Sequence, residues 1–228
     1  MVASNAIIAA LLSTGLISLA PNVLLVLFPH YASGEGESSK FLALGQALAS
    51  GGLLGDVFLH TIPHAQGQHD VGLWVLLGFG IFLVCDMMIR SLGHSHAHQH
   101  NKEDHSHQES SKKSTVILNL AADALHNFTD GLAIGASFAF ESVEDLSVAT
   151  LLASRGGLAT LSILCHEIPH ELGDFAILVK NGFSKNQAIM AQFGTAMTAM
   201  LGTIVGLFLH DLAGESLLFI TAGGFVYL

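Results

Sequence analysis

Residues 118–138 read Leu-Asn-Leu-Ala-Ala-Asp-Ala-Leu-His-Asn-Phe-Thr-Asp-Gly-Leu-Ala-Ile-Gly-Ala-Ser-Phe, and residues 166–174 read His-Glu-Ile-Pro-His-Glu-Leu-Gly-Asp. Both lie in apolar runs long enough to cross a bilayer, for which about 20 residues suffice. An ionisable side chain at mid-bilayer costs roughly 3 kcal/mol or more, so a span that keeps several marks a pathway or a site. Asp123, His126 and Asp130 fall on the first stretch; His166, Glu167, His170, Glu171 and Asp174 fall on the second. Histidine with carboxylate is the ligand set of a divalent transition metal, zinc first. The first reading is therefore a metal site inside a membrane.

The rest of the chain has the composition of a membrane protein. Of its 228 residues 51% are hydrophobic and only 11% charged, against about 25% charged in a soluble domain. The net charge of −10 reflects acids within apolar runs and few bases to offset them. Nucleic acid is excluded as a partner, because no basic face exists. Cys85 and Cys165 both sit in apolar runs and imply no disulfide framework. Gly51 and Gly55, Gly131 and Gly135, and Gly202 and Gly206 have the small-xxx-small spacing of closely packed membrane helices.

Hydrophobic spans are predicted at 6–28, 41–63, 71–91, 115–140, 158–180, 188–209 and 216–228, the last cut short. The fold class is an all-α membrane protein, a polytopic helical bundle. One transporter domain is expected over 1–228, continuing past the last residue. Of the Lys and Arg residues, Lys40, Arg90, Lys102, Lys112, Lys113, Lys180 and Lys185 lie in the loops joining spans one to two, three to four and five to six. Arg155 alone lies on the other side, which puts the N-terminus outside the cytosol. Residues 92–113 form a polar loop carrying His94, His96, His98, His100, His105 and His107. It buries nothing apolar and is expected to be a disordered cytosolic segment. Its histidines suit capture or sensing of metal rather than a fixed site, unless the tract is merely solvated.

Residues four apart share a helix face, so His126 and Asp130 point together, as do His166 and His170. Four ligands from two facing helices can close a tetrahedral zinc site. Asn127 and Glu167 each follow a ligand by one residue, about 100° round the helix; with Asp130 and His170 they could border a second site. Glu171 and Asp174 continue the Glu167 stripe toward neighbouring ligand or exit positions. Pro169 denies Cys165 an amide partner in the middle of the site-bearing span, which a membrane tolerates where the backbone lines a cavity. Asp56, His60 and His64 stand four apart beside Pro63 and read as a loading path, or as helix-end residues in water. Asp123 and Asp174 belong to the same path. Asp86 and Arg90 are placed to pair. The sequon Asn127-Phe128-Thr129 falls mid-span and is not a glycosylation site.

Two rival functions share these residues. His166-Glu167-Ile168-Pro169-His170 is also HExxH, the zinc metalloprotease signature. That motif needs a regular turn, which Pro169 interrupts, and it leaves the HNxxD stretch unused. A cation-diffusion exporter would want an acid-and-histidine pair in an early span and a soluble metal-binding tail; neither is clear here. A purely structural membrane protein would have no use for so many buried ionisable groups.

The two stretches resemble the fourth and fifth spans of ZIP (Zrt/Irt-like) zinc transporters, in the HExPHExGD form of the histidine-rich, Catsup-like members. Gly55-Asp56 through Ile62-Pro63-His64 and Thr221-Ala222-Gly223-Gly224-Phe225 support the likeness. The resemblance implies eight spans, both termini outside the cytosol, and zinc moving into the cytosol through a two-metal centre. Carried onto this sequence, His126, Asp130, His166 and His170 form one site, while Asn127, Asp130, Glu167 and His170 contribute to the other. Asp130 stands where some relatives carry Glu, and only Gln192 occupies a place where some carry an acid. The resemblance implies zinc as substrate and bound ion, with Fe2+, Mn2+ and Cd2+ as other candidates, and a transporter rather than an enzyme. It leaves a homodimer open and favours the endoplasmic reticulum or Golgi membrane. Membrane lipid is the surrounding partner.

Overall fold

A computed structural model describes residues 2–27, 44, 47, 51, 54–65, 69–95, 104–140, 145–213 and 216–227. In chain order the helices are α1 (Ser4–Leu27), α2 (Ile62–His64), α3 (Val71–Ser95), α4 (Asp104–Ala139), α5 (Val148–Ala153), α6 (Arg155–Lys180), α7 (Lys185–Ala213) and α8 (Ser216–Tyr227). A π-helical stretch, Asp56–Thr61, leads into α2. No strand occurs among the described residues.

α1, α3 and α7 contain segments long and apolar enough to cross a membrane: Ser4–Leu27, Val71–Met88 and Lys185–Leu209. α4 and α6 are as long but carry the ionisable residues. The bundle is arranged as a membrane protein requires. The inward face of α1 is small or polar, with Ala6, Ala9, Ala10 and Thr14 all fully buried, while Leu12, Leu16, Leu19 and Val23 face outward. With lipid outside, large apolar side chains need no burial, and small ones let backbones approach.

α4 and α7 approach each other closely. A Cβ on Gly131 or Gly135 would collide with the backbone of Ala199 or Thr203, and one on Gly202 or Gly206 with that of Phe128 or Leu132. Two of the three small-xxx-small pairs read from the sequence thus face each other across one interface. Gly51 and Gly55 meet nothing comparable among the described residues. A second pair, α3 and α8, closes in the same way, Gly78 on Ile220 and Gly223 on Val75.

Hydrogen bonds between helices fix α7 further. Thr198 Oγ1 donates to the Ala124 carbonyl on α4 at 2.6 Å, Thr14 and Thr203 hydroxyls meet at 2.6 Å, and Ser18 Oγ donates to the Ala196 carbonyl at 3.3 Å. α7 therefore buttresses both α1 and α4.

Several expectations are revised. Helical backbone enters the 92–113 stretch from both sides, since α3 runs to Ser95 and α4 starts at Asp104. Once the apolar part of α4 nucleates the helix, extension through Glu, Gln and Lys costs little. His96, His98 and His100 lie outside the described residues, as do the side chains of His94, His105 and His107. Asp56 and His60 do not sit in an α register: the Ile62 amide donates to the Val57 carbonyl, an i→i+5 bond, just before Pro63 interrupts the ladder. The side chains of Asp56, His60 and His64 are outside the description. Asp86 Oδ2 accepts from the Tyr227 hydroxyl at 2.6 Å; the side chain of its expected partner Arg90 is not described. The 141–157 stretch, which carries no readable motif, holds α5, capped by Ser147 on the Thr150 amide. Ser154 then caps α6 on the Gly157 amide at 2.9 Å. There the Ser147 hydrogen bonds hold the exposed Asp145 carboxyl below the usual carboxylate range.

Candidate metal centre

α4 and α6 run antiparallel past each other, and the ionisable residues meet where they face. His126, Asp130, His166 and Glu167 come together with one ligand atom each, all within 4.8 Å of one another. None is more than 3% exposed. His126 Nε2 lies 3.0 Å from Glu167 Oε1 and 3.7 Å from Asp130 Oδ2; His166 Nε2 lies 3.1 Å from Asp130 Oδ2 and 3.9 Å from Glu167 Oε1. Two ligands of a tetrahedral ion held near 2.1 Å stand about 3.4 Å apart, so the four separations bracket that value.

The donor chemistry fits a cation. His166 Nδ1 faces the Ser162 carbonyl at 3.2 Å. A carbonyl only accepts, so Nδ1 carries the proton and, in the neutral ring, Nε2 presents a lone pair. That lone pair points at the Asp130 carboxylate, another acceptor, and only a proton or a cation reconciles the two. The same holds across the site. His126 Nε2 and Glu167 Oε1 are close but lack the angle of a hydrogen bond, and among the described residues neither has a hydrogen-bond partner, nor has Asp130 Oδ1. Buried polar atoms are nearly always paired; a divalent ion would pair these together.

A second group lies beside the first. His170 Nδ1 is 3.5 Å from Asp174 Oδ2 and 4.0 Å from Asp123 Oδ1. His170 stacks on His126, ring centres 4.4 Å apart. Asn127, fully buried, donates to Asp123 Oδ1 at 2.8 Å and so orients that carboxylate. Glu171 is buried, and its backbone carbonyl accepts from Gln192 Nε2 at 2.5 Å. Gln192 thus stands as a polar brace from α7 rather than as a charge.

The side chains are grouped differently from the two expected ligand sets, although His170 stays stacked on His126. Glu167, not His170, completes the group with His126, Asp130 and His166. His170 turns instead to Asp123 and Asp174, which the sequence had suggested only as path residues. The helix wheel placed His166 and His170 on one face but could not say which partner each meets, because that depends on how α4 crosses α6.

Comparison with known proteins follows the same lines. The family model for the ZIP zinc transporter matches residues 4–115 and 91–228. The chain belongs to the ZIP zinc transporter family. It is an integral membrane protein. It is 36% identical to "Zinc transporter zipt-7.1" of Caenorhabditis briggsae, over 93% of this chain and 65% of that protein. It is 36% identical to "Zinc transporter SLC39A7" of Mus musculus, over 96% of this chain and 61% of that protein. To "Zinc transporter YKE4" of Saccharomyces cerevisiae it is 34% identical, over 98% and 68%. The chain spans about three fifths to two thirds of the length of the curated relatives it matches. The residues matched by the family model include both ionisable stretches.

Proposed function

We propose that this protein carries zinc across a membrane into the cytosol, and that His126, Asp130, His166 and Glu167 form the site at which the ion is held. The observation that carries the reading is the buried set of four residues from two helices whose ligand atoms all lie within 4.8 Å of one another. The names of its relatives support zinc as the substrate. The same donors would accept Fe2+, Mn2+ or Cd2+, with preference set by geometry and availability. Asn127 and Glu171 border the site, and Asp56, His60 and His64 are proposed to line the approach from the other side. The direction of transport rests on the distribution of Lys and Arg among the loops. A membrane of the endoplasmic reticulum or Golgi is the proposed location, and a homodimer the proposed assembly.

Zinc uptake into vesicles reconstituted with the full-length protein tests this directly. The wild type should accumulate zinc, and the His126→Ala, His166→Ala double variant, correctly inserted, should not. Equal flux from the two would sink the proposal. A hydrolase reading would instead require peptide cleavage that depends on Glu167.

A further inference from the structure

The short helix α5, between the two site-bearing helices, has no buried residue, yet every residue in it except Thr150 is apolar. Val148 is 71% exposed and Leu152 46%, and Leu146 just before the helix is 39% exposed. Large apolar side chains clustered in a connection between spans mark a surface with a partner. We propose that the partner is the lipid bilayer: α5 lies along the membrane surface, with Leu146, Val148 and Leu152 set into the boundary between headgroups and acyl chains.

The sides of α5 divide as an interfacial helix requires. Leu151 packs on the core cluster that holds Phe138 and Ile163. Val148 and Leu152 stand about 60° and 100° round the helix from it, so their face adjoins the one seated on the protein. Thr150 stands about 160° from both. There its hydroxyl meets the Ser147 hydroxyl at 2.9 Å, and the Ser147 amide donates to Asp145 Oδ1 at 2.8 Å, all of it exposed. One side is thus built for water, one for the bundle, and the side between them for neither.

The height of α5 fits as well. α6 begins with only Ser154 between it and α5 and runs for 26 residues. That is about 39 Å of helix, against a hydrocarbon core of about 30 Å, so its first turn stands at the bilayer edge. α5 is folded hard against that turn: a Cβ on Gly157 would strike the Leu151 carbonyl and crowd the Leu152 backbone. The exposed apolar surface continues from there along α6. Leu158 and Leu161 are 43% and 41% exposed, and Cys165 is exposed too; at spacings of three and four these share one side of the helix. A protein seated on α5 would have to displace lipid from that stripe, whereas lipid covers both without a break. The anchor has a consequence for the metal cluster. His166 lies 11 residues past Arg155, about 17 Å of helix, so fixing the start of α6 at the surface fixes the depth of its ligands.

Nitroxide labels on single cysteines of the full-length protein, its other cysteines replaced by alanine, test this in phosphatidylcholine vesicles. Oxygen concentrates in lipid and a nickel chelate in water, so the ratio of their collisions with the label reports what surrounds it. Labels on Val148→Cys and Leu152→Cys should favour oxygen, as a label on Leu158→Cys does, while one on Thr150→Cys should favour nickel. Should labelling at Val148 disturb folding, Leu146→Cys is read by the same criterion. Labels at 148 and 152 that favour nickel as strongly as the one at 150 would overturn the proposal, since α5 would then stand in water. Labels reached by neither reagent would overturn it too, by showing a protein surface, such as a second copy of the chain, on this face. Oxygen preference at 150 as well would put the helix inside the lipid and overturn its placement along the surface.

Discussion

His166 Nε2 and Asp130 Oδ2 stand 3.1 Å apart across the α4–α6 interface, while the other nitrogen of the same ring is tied to the Ser162 carbonyl. The imidazole is thereby held in the tautomer that offers a lone pair to the Asp130 side. Asp130→Asn removes the charge with little change of shape and should lower zinc affinity by about tenfold or more. Asp130→Glu keeps the charge and should retain transport at reduced rate, since the added methylene moves the carboxylate away from its 3.1 Å approach to His166 Nε2. Chelator competition on both variants checks this; equal affinities for Asn and Glu would show that the carboxylate does not ligate.

Glycine at 131 is needed for the site as much as any ligand. A methyl group there would meet the Ala199 carbonyl, so α4 and α7 would have to separate. Overpacking costs about 1–3 kcal/mol, and each kcal/mol lowers the melting temperature of a chain this size by about 2–4 °C. Gly131→Ala should therefore melt several degrees lower in detergent. Gly194→Ala is the control: a Cβ there meets nothing within 4 Å, so its melting point should hold or rise. Equal melting points would place the close approach elsewhere.

These two residues also mark what was readable in advance. The spans at 6–28, 71–91, 115–140, 158–180 and 188–209 announced themselves by length, and close packing at Gly131, Gly135, Gly202 and Gly206 by glycine spacing, because both depend on local pattern. The ionisable residues that come together were readable for the same reason: charge inside an apolar run stands out. Which of these residues meet across the helix crossing was not readable. His170 shares a face with His166, but the crossing of α4 and α6 brings Glu167 to His126 and leaves His170 to Asp123 and Asp174. The π-helical register before Pro63 was equally hidden, since i, i+4 spacing assumes an α-helix. The serine caps at Ser147 and Ser154 were legible by residue type and went unread.

Protons should compete with zinc for this site. Imidazole binds a cation only when a ring nitrogen is free of its proton, and carboxylates bind only when ionised. The sign follows: acidification removes ligands, so affinity must fall with falling pH and recover on return. Titration calorimetry at steps from about pH 8 to about pH 5, a range that spans ordinary histidine protonation, should show a monotonic loss. A flat profile would mean that neither His126 nor His166 ligates the ion.

The histidines of the 92–113 stretch should be dispensable for turnover. His94, His96, His98, His100, His105 and His107 all lie outside the 118–138 and 166–174 stretches that converge on the site. Deleting 94–107 would be a poor test, because α3 ends at Ser95 and α4 begins at Asp104, and the cut would disturb both. Exchanging all six for serine leaves the backbone intact. A loose histidine tract raises local zinc concentration near the exit without fixing an ion. The serine variant should thus keep its maximal flux in vesicles but respond to zinc at a shifted concentration. Loss of flux at saturating zinc, in a variant that inserts and melts like the wild type, would show that these histidines belong to the pathway.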